Sequence, residues 1–317
     1  MSTYNYEEAQ YCFELLNPNN SDDVQEQINN VRRNVVLFIK PFTSQFFFWT
    51  LLLLILHRFN LRKPIIKIVV AHYIFRVIGD MLDSYGSRYT VYYHKNMYGE
   101  CVADPVNKAE DHPLRWLITR QLAGIFWYSG EIVGDWYPLL RTKAVAGEQK
   151  EIWYVYTSCF IFNLSKITMM FYHFSVTEND MLIKKKEDAF YNAYWAIYLV
   201  SLCCSLLYDG SVYIAMKRSI LKDTESINFG FLKKFRDMSE YRILVTAFLG
   251  LVGVPIMGVS AVLRLKYQEY DWSFEDLRIF LVNTSYFMMF IDQLMLFSYS
   301  KEEKSFSSNK DNKLFMV

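Results

Sequence analysis

The sequence lacks the short motifs that usually reveal an enzyme. Its five cysteines form no CxxC pair and its five histidines form no HxxxH or HExxH pair, so neither a zinc ribbon nor a zinc hydrolase is indicated. No Ser-His-Asp spacing indicates an activated nucleophile. We therefore expect no enzymatic activity, no metal site and no cofactor.

Three further absences reduce the number of functions that the sequence allows. The formal net charge is only +1, whereas a nucleic-acid partner normally needs a strongly basic face, so we expect no nucleic-acid binding. The N-terminal segment has no basic stretch followed by an apolar one, so we expect no cleaved signal peptide. The chain shows no direct or inverted internal repeat, the feature that marks many transporters.

What the chain does contain is long apolar runs, the longest of which is Phe46 to Leu56. Mean hydropathy is only +0.05, but the charges are concentrated in short intervals and the runs between them are nearly free of charge. A soluble helical protein would spread charge along each helix to make a polar face. A helix that is apolar on every side, with about 20 residues, instead suits the hydrocarbon core of a bilayer.

The sequence therefore predicts an all-α fold, a polytopic transmembrane helix bundle in the plasma membrane or an endomembrane. We expect an acidic extramembrane segment over 1–34, the helix bundle over 35–299 and a disordered cytoplasmic tail over 300–317. The predicted spans are 36–56, 64–82, 117–140, 152–174, 189–216, 243–263 and 277–297.

The distribution of basic residues sets the expected orientation, because lysine and arginine collect on the cytoplasmic side. Seven spans with the N-terminus outside place the basic turn Arg58 to Lys67, the basic connection Lys217 to Arg242 and the C-terminal tail inside. The span 117–140 is the least apolar. If it does not cross, six spans with both termini inside are the alternative, which places the turn Arg58 to Lys67 outside.

Two local features bear on this bundle. Cys12 and Cys101 both fall in polar segments that the seven-span topology places outside, so they can form a disulfide in an oxidising compartment, and two unpaired thiols are the alternative. Gly253 and Pro255 lie in the middle of the sixth span, where proline removes a backbone hydrogen bond, so we predict a helix kink there.

Ionisable residues within the spans are the candidate site, since charge in lipid is costly and usually functional. Arg76 and Asp80 share a helix face, as do Glu131 and Asp135, because each pair is four residues apart. We expect the cations of spans two and four to neutralise Glu131 and Asp80. The candidate ligand or ion pocket comprises Arg76, Asp80, Glu131, Asp135, Lys166 and Asp292. A buried network that only fixes helix packing is the alternative.

The outline is similar to that of a seven-helix G-protein-coupled receptor, with an outside N-terminus, a basic connection before a kinked sixth span and a serine-rich tail. The motifs of the rhodopsin-like class are absent. Asp135-Trp136-Tyr137 has no arginine at its centre, Asn283-Thr284-Ser285-Tyr286 lacks the proline, and the last span has no lysine for a retinal Schiff base. The resemblance is one of architecture only.

The leading interpretation is a receptor-like sensor of a small ligand that signals to a cytoplasmic protein through the basic connection Lys217 to Arg242. The alternative is a secondary transporter or channel that uses the intramembrane charges as a substrate or proton path. In both cases the lipid bilayer is the first partner.

Overall fold

The computed structural model describes residues 5–16, 24–146, 152–177, 180–223, 230–266 and 275–314, and it is 82% helical. The helices are α1 Tyr6–Leu16, α2 Val24–Thr43, α3 Phe47–Leu56, α4 Pro64–Gly86, α5 Pro113–Trp116, α6 Ala123–Ala146, α7 Ile152–Tyr172, α8 Lys184–Asp223, α9 Gly230–Lys266 and α10 Glu275–Leu314. A 3-10 turn covers Ala109–Asp111, and a π-helical segment, Leu117–Leu122, leads into α6. Two short strands form the only sheet among these residues.

Every stretch predicted to be a span lies in helical structure, although the helix ends differ. The first predicted span is formed by α2 and α3, which meet at a bend of 47°. The third begins in the π-helical segment and continues in α6. The last three helices extend well beyond the predicted spans, and α10 is helical as far as Leu314, where the sequence predicted a disordered tail from residue 300.

Two described helical stretches, Lys184–Arg218 and Ile279–Ser298, are long and apolar enough to cross a membrane. A third candidate is the bent pair Gln27–Thr43 and Phe47–Leu56, if the two helices are one span. The structure therefore supports a helical membrane protein with two or three such stretches. The ionisable residues of α4, α6 and α7 lower the apolar character of those helices.

The chain divides into two compact units. The first comprises Met1–Phe47, His72–Glu131 and Lys166–Trp195. The second comprises Phe48–Ala71, Ile132–Ser165 and Ala196–Val317.

A β-hairpin in the first unit forms part of the connection between α4 and α5. Strand β1, Val91–Lys95, pairs antiparallel with β2, Cys101–Pro105. The turn between them is closed by the Asn96 side chain, which accepts hydrogen bonds from the backbone amides of Tyr98 and Glu100. Gly99 has a φ of +79°, a conformation that other residues rarely adopt.

Helix α1 is fastened to this hairpin. Cys12 and Cys101 form a disulfide with a Cα–Cα distance of 5.2 Å, one of the two alternatives that the sequence left open. The Glu8 carboxylate accepts a hydrogen bond from the Lys95 backbone amide at 3.1 Å. The disulfide and this hydrogen bond thus hold α1 against the hairpin, next to the turn that joins β1 and β2.

A histidine begins the short helix α5 that follows the hairpin. The Nδ1 atom of His112 accepts hydrogen bonds from the backbone amides of Leu114 at 3.1 Å and Arg115 at 3.4 Å, which satisfies amides that have no partner within the helix. Burial and, secondarily, the Arg115 guanidinium lower the pKa of His112 to about 4. The neutral imidazole is therefore the form that caps α5 near neutral pH.

In the second unit, α7 and α8 pack closely through small and apolar side chains. The buried cluster consists of Leu139, Val155, Cys159, Phe162, Tyr208, Val212, Ala215 and Met216. Hydroxyl pairs cross-link the two helices: Ser158 with Ser211 at 2.6 Å and Ser165 with Ser201 at 2.9 Å. Such interhelical hydrogen bonds and small residues are typical of helix packing in membranes.

Many large apolar side chains of these helices are exposed. Helix α7 exposes Phe160, Leu164 and Phe171, which recur at helical spacing on one face. Helix α9 exposes Leu244, Phe248, Leu251, Val252, Val259 and Val262. Water-soluble monomers rarely show contiguous apolar surfaces of this extent, and such surfaces mark a membrane or protein contact.

Two of the predicted features concern helix α9 and the connection before it. Helix α9 runs continuously from Gly230 to Lys266 with Pro255 inside it, and the kink stays a prediction. A Cβ at Gly253 would lie 2.5 Å from a methyl carbon of Leu281, so this glycine permits close packing against α10. Of the predicted partner surface Lys217 to Arg242, residues 224–229 lie outside the described residues, and no side chain is described over 219–242.

Candidate functional site: two buried charge networks

The structure brings three of the predicted site residues together in the first unit. Arg76 on α4 and Lys166 on α7 both contact Glu131 on α6, a set that we call the triad. An Arg76 guanidinium nitrogen lies 3.5 Å from Glu131 Oε1, and Lys166 Nζ lies 3.3 Å from Oε2. The three side chains are 14%, 6% and 8% exposed, in the order Arg76, Lys166 and Glu131. One carboxylate therefore joins cations from two other helices.

Small residues allow α4 and α6 to approach closely around the triad. A Cβ at Gly130 would lie 3.3 Å from the carbonyl oxygen of His72 and 3.3 Å from Cγ of Arg76. A Cβ at Gly79 would lie 2.4 Å from the indole of Trp127. A side chain at position 79 would thus force the indole to move, and one at position 130 would make tight contacts, so both glycines allow the close approach that is typical of membrane helices.

His72 is completely buried beside the triad and fixes the same helix pair. Its Nδ1 atom lies 2.8 Å from the carbonyl oxygen of Gly130. Because a carbonyl oxygen can only accept, Nδ1 must carry the proton. The imidazole ring packs edge-on against Phe46 at 5.1 Å, and the Arg76 guanidinium lies 5.8 Å from the centre of that same phenyl ring.

Asp80 is placed differently from the prediction that a cation would neutralise it. Its carboxylate accepts a hydrogen bond from the Trp127 indole at 2.9 Å. Both residues are partly buried. Asp80 therefore belongs to the α4–α6 interface through a neutral donor, one helical turn from Arg76.

The second unit contains another buried network, which we call the α6–α10 network. The Asp292 carboxylate of α10 pairs with the Arg141 guanidinium of α6 and accepts a hydrogen bond from the Tyr137 hydroxyl. Gln293 donates a hydrogen bond to that hydroxyl at 2.9 Å. Arg141 and Asp292 are each 3% exposed, so this ion pair is almost completely removed from solvent.

Asp135 is held in the same unit by tyrosines. Its carboxylate accepts a hydrogen bond from the Tyr286 hydroxyl of α10 at 3.3 Å, and its carbonyl oxygen accepts one from the Tyr208 hydroxyl of α8 at 2.8 Å. Phenol hydroxyls and Arg141 thus provide the partners of the Asp135 and Asp292 carboxylates.

Sequence reasoning missed Arg141 and Tyr137. Arg141 lies just beyond the predicted third span, 117–140, but α6 continues to Ala146 and Arg141 is buried. The available signal was the spacing, since Tyr137 and Arg141 are four residues apart and share a helix face. The packing partner Asp292 could not be read from that spacing.

Within the described residues no group of three or more histidine, cysteine, aspartate or glutamate side chains could hold a metal ion. No protein family, characterised protein or solved structure matches this chain. The two networks are therefore the basis on which a function can be argued.

Proposed function

We propose that this protein is a seven-span membrane sensor of receptor-like architecture, with its N-terminus outside and its C-terminus in the cytoplasm. The observation that carries the proposal is the triad, in which α6 and α7 contribute the buried Glu131 and Lys166 and α4 contributes the partly buried Arg76.

The span count is supported by the position of charge on the less apolar helices. Lys166 is buried in α7, whereas Trp153, Phe160 and Phe171 of the same helix are exposed. In α6, Glu131 is buried and Trp136 is exposed. A helix with paired charges inside and apolar groups outside can lie in lipid although its average composition is only moderately apolar. Because α6 has this arrangement, the span 117–140 can cross the bilayer, which favours seven spans over six.

The orientation is supported by the disulfide between Cys12 and Cys101. Disulfides form and persist in oxidising compartments, so α1 and the hairpin belong outside the cytoplasm. The basic connections then fall on the opposite side, as expected for cytoplasmic segments.

A sensor is favoured over a transporter because the charged groups bind one another. Glu131 lies between two cations, and Asp292 is bound by Arg141 and Tyr137. Buried networks of paired charges have discrete arrangements and suit a two-state element that a ligand can bias. Helix α6 contributes Glu131 to the triad and Tyr137 and Arg141 to the α6–α10 network.

The test uses the full-length protein in lipid nanodiscs and in proteoliposomes. Glu131→Gln should alter hydrogen exchange in the connection 217–242, and Phe160→Leu, at an exposed position of α7, should not. The native protein should carry no flux of protons, sodium, potassium or chloride. Flux that Glu131→Gln abolishes would overturn the sensor proposal in favour of transport, and unchanged exchange in 217–242 would remove its signalling part.

A further inference from the structure

The N-terminal half of α2 has an exposed apolar stripe with the spacing of a coiled-coil seam. Val24, Ile28, Val31 and Val35 are 66%, 54%, 62% and 49% exposed. They follow one another at intervals of four, three and four residues, and Phe38 and Phe42, which are also exposed, continue the pattern. Alternating steps of three and four are the a and d positions of a heptad repeat.

Lipid does not account for this half of the helix. Between Val24 and Val35 all residues except Ile28 and Val31 are polar. Asn30 and Arg32 are exposed on the same turns. The stripe is thus narrow and lies on a helix that is otherwise hydrophilic. Beyond Val35 the exposed apolar face widens to include Val36 and Ile39, as expected where α2 enters hydrocarbon.

The direction of α2 also argues against a helix lying on the membrane surface. Val24–Thr43 is one helix, and its residues from Gln27 onward form, with α3, the bent pair that is a candidate span. Because the exposed apolar face widens only beyond Val35, we place the entry of α2 into hydrocarbon at that residue. A helix that enters the bilayer cannot also lie along its surface. The 12 residues from Val24 to Val35 therefore extend roughly 18 Å away from the hydrocarbon, at 1.5 Å per residue.

We propose that this stripe, the α2 seam, pairs with the α2 seam of a second copy of this chain as a short parallel coiled coil outside the membrane. Two copies in one membrane have the same orientation, so their α2 helices are parallel and identical positions meet across a two-fold axis. Ile28 and Val35 occupy a positions, where β-branched residues favour two-stranded coiled coils.

The flanking residues are compatible with this pairing. In a parallel pair the e position Arg32 of one chain faces the g position Gln27 of the other, so no like charges meet beside the seam. Arg33 is at the outward f position. The Asn34 side chain, at a g position, accepts a hydrogen bond from Arg88 of its own chain at 2.6 Å, which fixes α2 against the rest of the first unit while the seam is left exposed.

Cysteine cross-linking of the full-length protein in phosphatidylcholine nanodiscs tests the proposal. The background carries Cys203→Ser and Cys204→Ser, because these two free cysteines are less buried than Cys159. Mild oxidation should link two chains through Val31→Cys at a d position, and should not link them through Asn30→Cys, its exposed neighbour at a c position. Equal or absent cross-linking of both variants would overturn the inference.

A charged substitution in the seam supplies the second measurement. Val31→Glu should weaken dimerisation in vesicles by about tenfold or more, since it removes a buried side chain and sets two carboxylates together. Asn30→Glu is the matched control and should leave the dimer intact. Both variants should keep the thermal unfolding temperature of the monomer, because the seam is exposed in one chain.

Two outcomes would contradict the pairing. One is a monomeric native protein at all protein-to-lipid ratios. The other is a spin label at Val31→Cys that is reached by lipid-soluble oxygen but not by a water-soluble nickel complex, which would place the stripe in lipid. The inference rests on the proposed crossing by α2 and α3 but not on the sensor activity, so flux in proteoliposomes would leave it standing.

Discussion

Glutamine in place of Glu131 is the most informative single change in this protein. The substitution preserves shape and removes the one negative charge between Arg76 and Lys166. At 3.3 and 3.5 Å each attraction amounts to about 5 kcal/mol at an effective dielectric constant of about 20, before the cost of desolvation. Two buried cations would then face a neutral amide. We expect the free energy of unfolding to fall by about 3–5 kcal/mol, the usual cost of breaking a buried ion pair.

Removing one cation should cost less than removing the carboxylate. Lys166→Met keeps the length and most of the volume of the side chain and leaves Arg76 paired with Glu131. We expect a loss of about 1.5–3 kcal/mol, which is typical of one charge-assisted hydrogen bond. In the double variant only one cation is left, so Glu131→Gln should cost at least about 1 kcal/mol less in the Lys166→Met background than alone.

Reversible unfolding in mixed micelles, followed by tryptophan fluorescence as the denaturing detergent is increased, measures these differences. Asp180→Asn is the matched control, because Asp180 forms an exposed ion pair with Lys186 at 2.5 Å and exposed pairs contribute little. Additive effects of the two triad substitutions within about 0.5 kcal/mol would refute the reasoning, as they would show that the three charges do not interact.

Three further predictions concern packing, the disulfide and pH. Gly79→Ala should destabilise the protein by about 1–3 kcal/mol through overpacking, whereas Gly210→Ala, with no atom within 4 Å of the added carbon, should be neutral or stabilising; equal melting temperatures would contradict this. Cys12→Ser or Cys101→Ser should lower the free energy of unfolding by about 2–4 kcal/mol and increase hydrogen exchange in the hairpin, 91–105. Unchanged exchange there would show that the disulfide does not stabilise the hairpin. The pKa of His112 is about 4, below its ordinary 6.5, so the unfolded chain binds this proton first and stability should decline as pH falls from 6.5 through 4; His112→Asn, which keeps a capping acceptor, should flatten that part of a melting-temperature profile.

The local sequence was sufficient to predict the positions of the apolar helices. The seven predicted spans fall in helical structure, with a break at 44–46 in the first, and the run from Phe47 to Leu56 contains no glycine or proline. Helix α1 and the extension of α10 beyond residue 300 were not predicted. The sequence also predicted that cations of the second and fourth spans would meet Glu131, as Arg76 and Lys166 do. The hairpin after α4 was not foreseen, because its strands are short and are defined by pairing with each other.

Which charges meet was decided only by tertiary structure. Periodicity reports the face of a residue on its own helix, but not which residue of another helix faces it. It could not show that Trp127 rather than a cation would bind Asp80, or that Arg141 would be buried against Asp292. Composition determined a helical protein with extensive apolar surface. The distances between side chains on separate helices, which set their electrostatic energies, exist only in the folded chain.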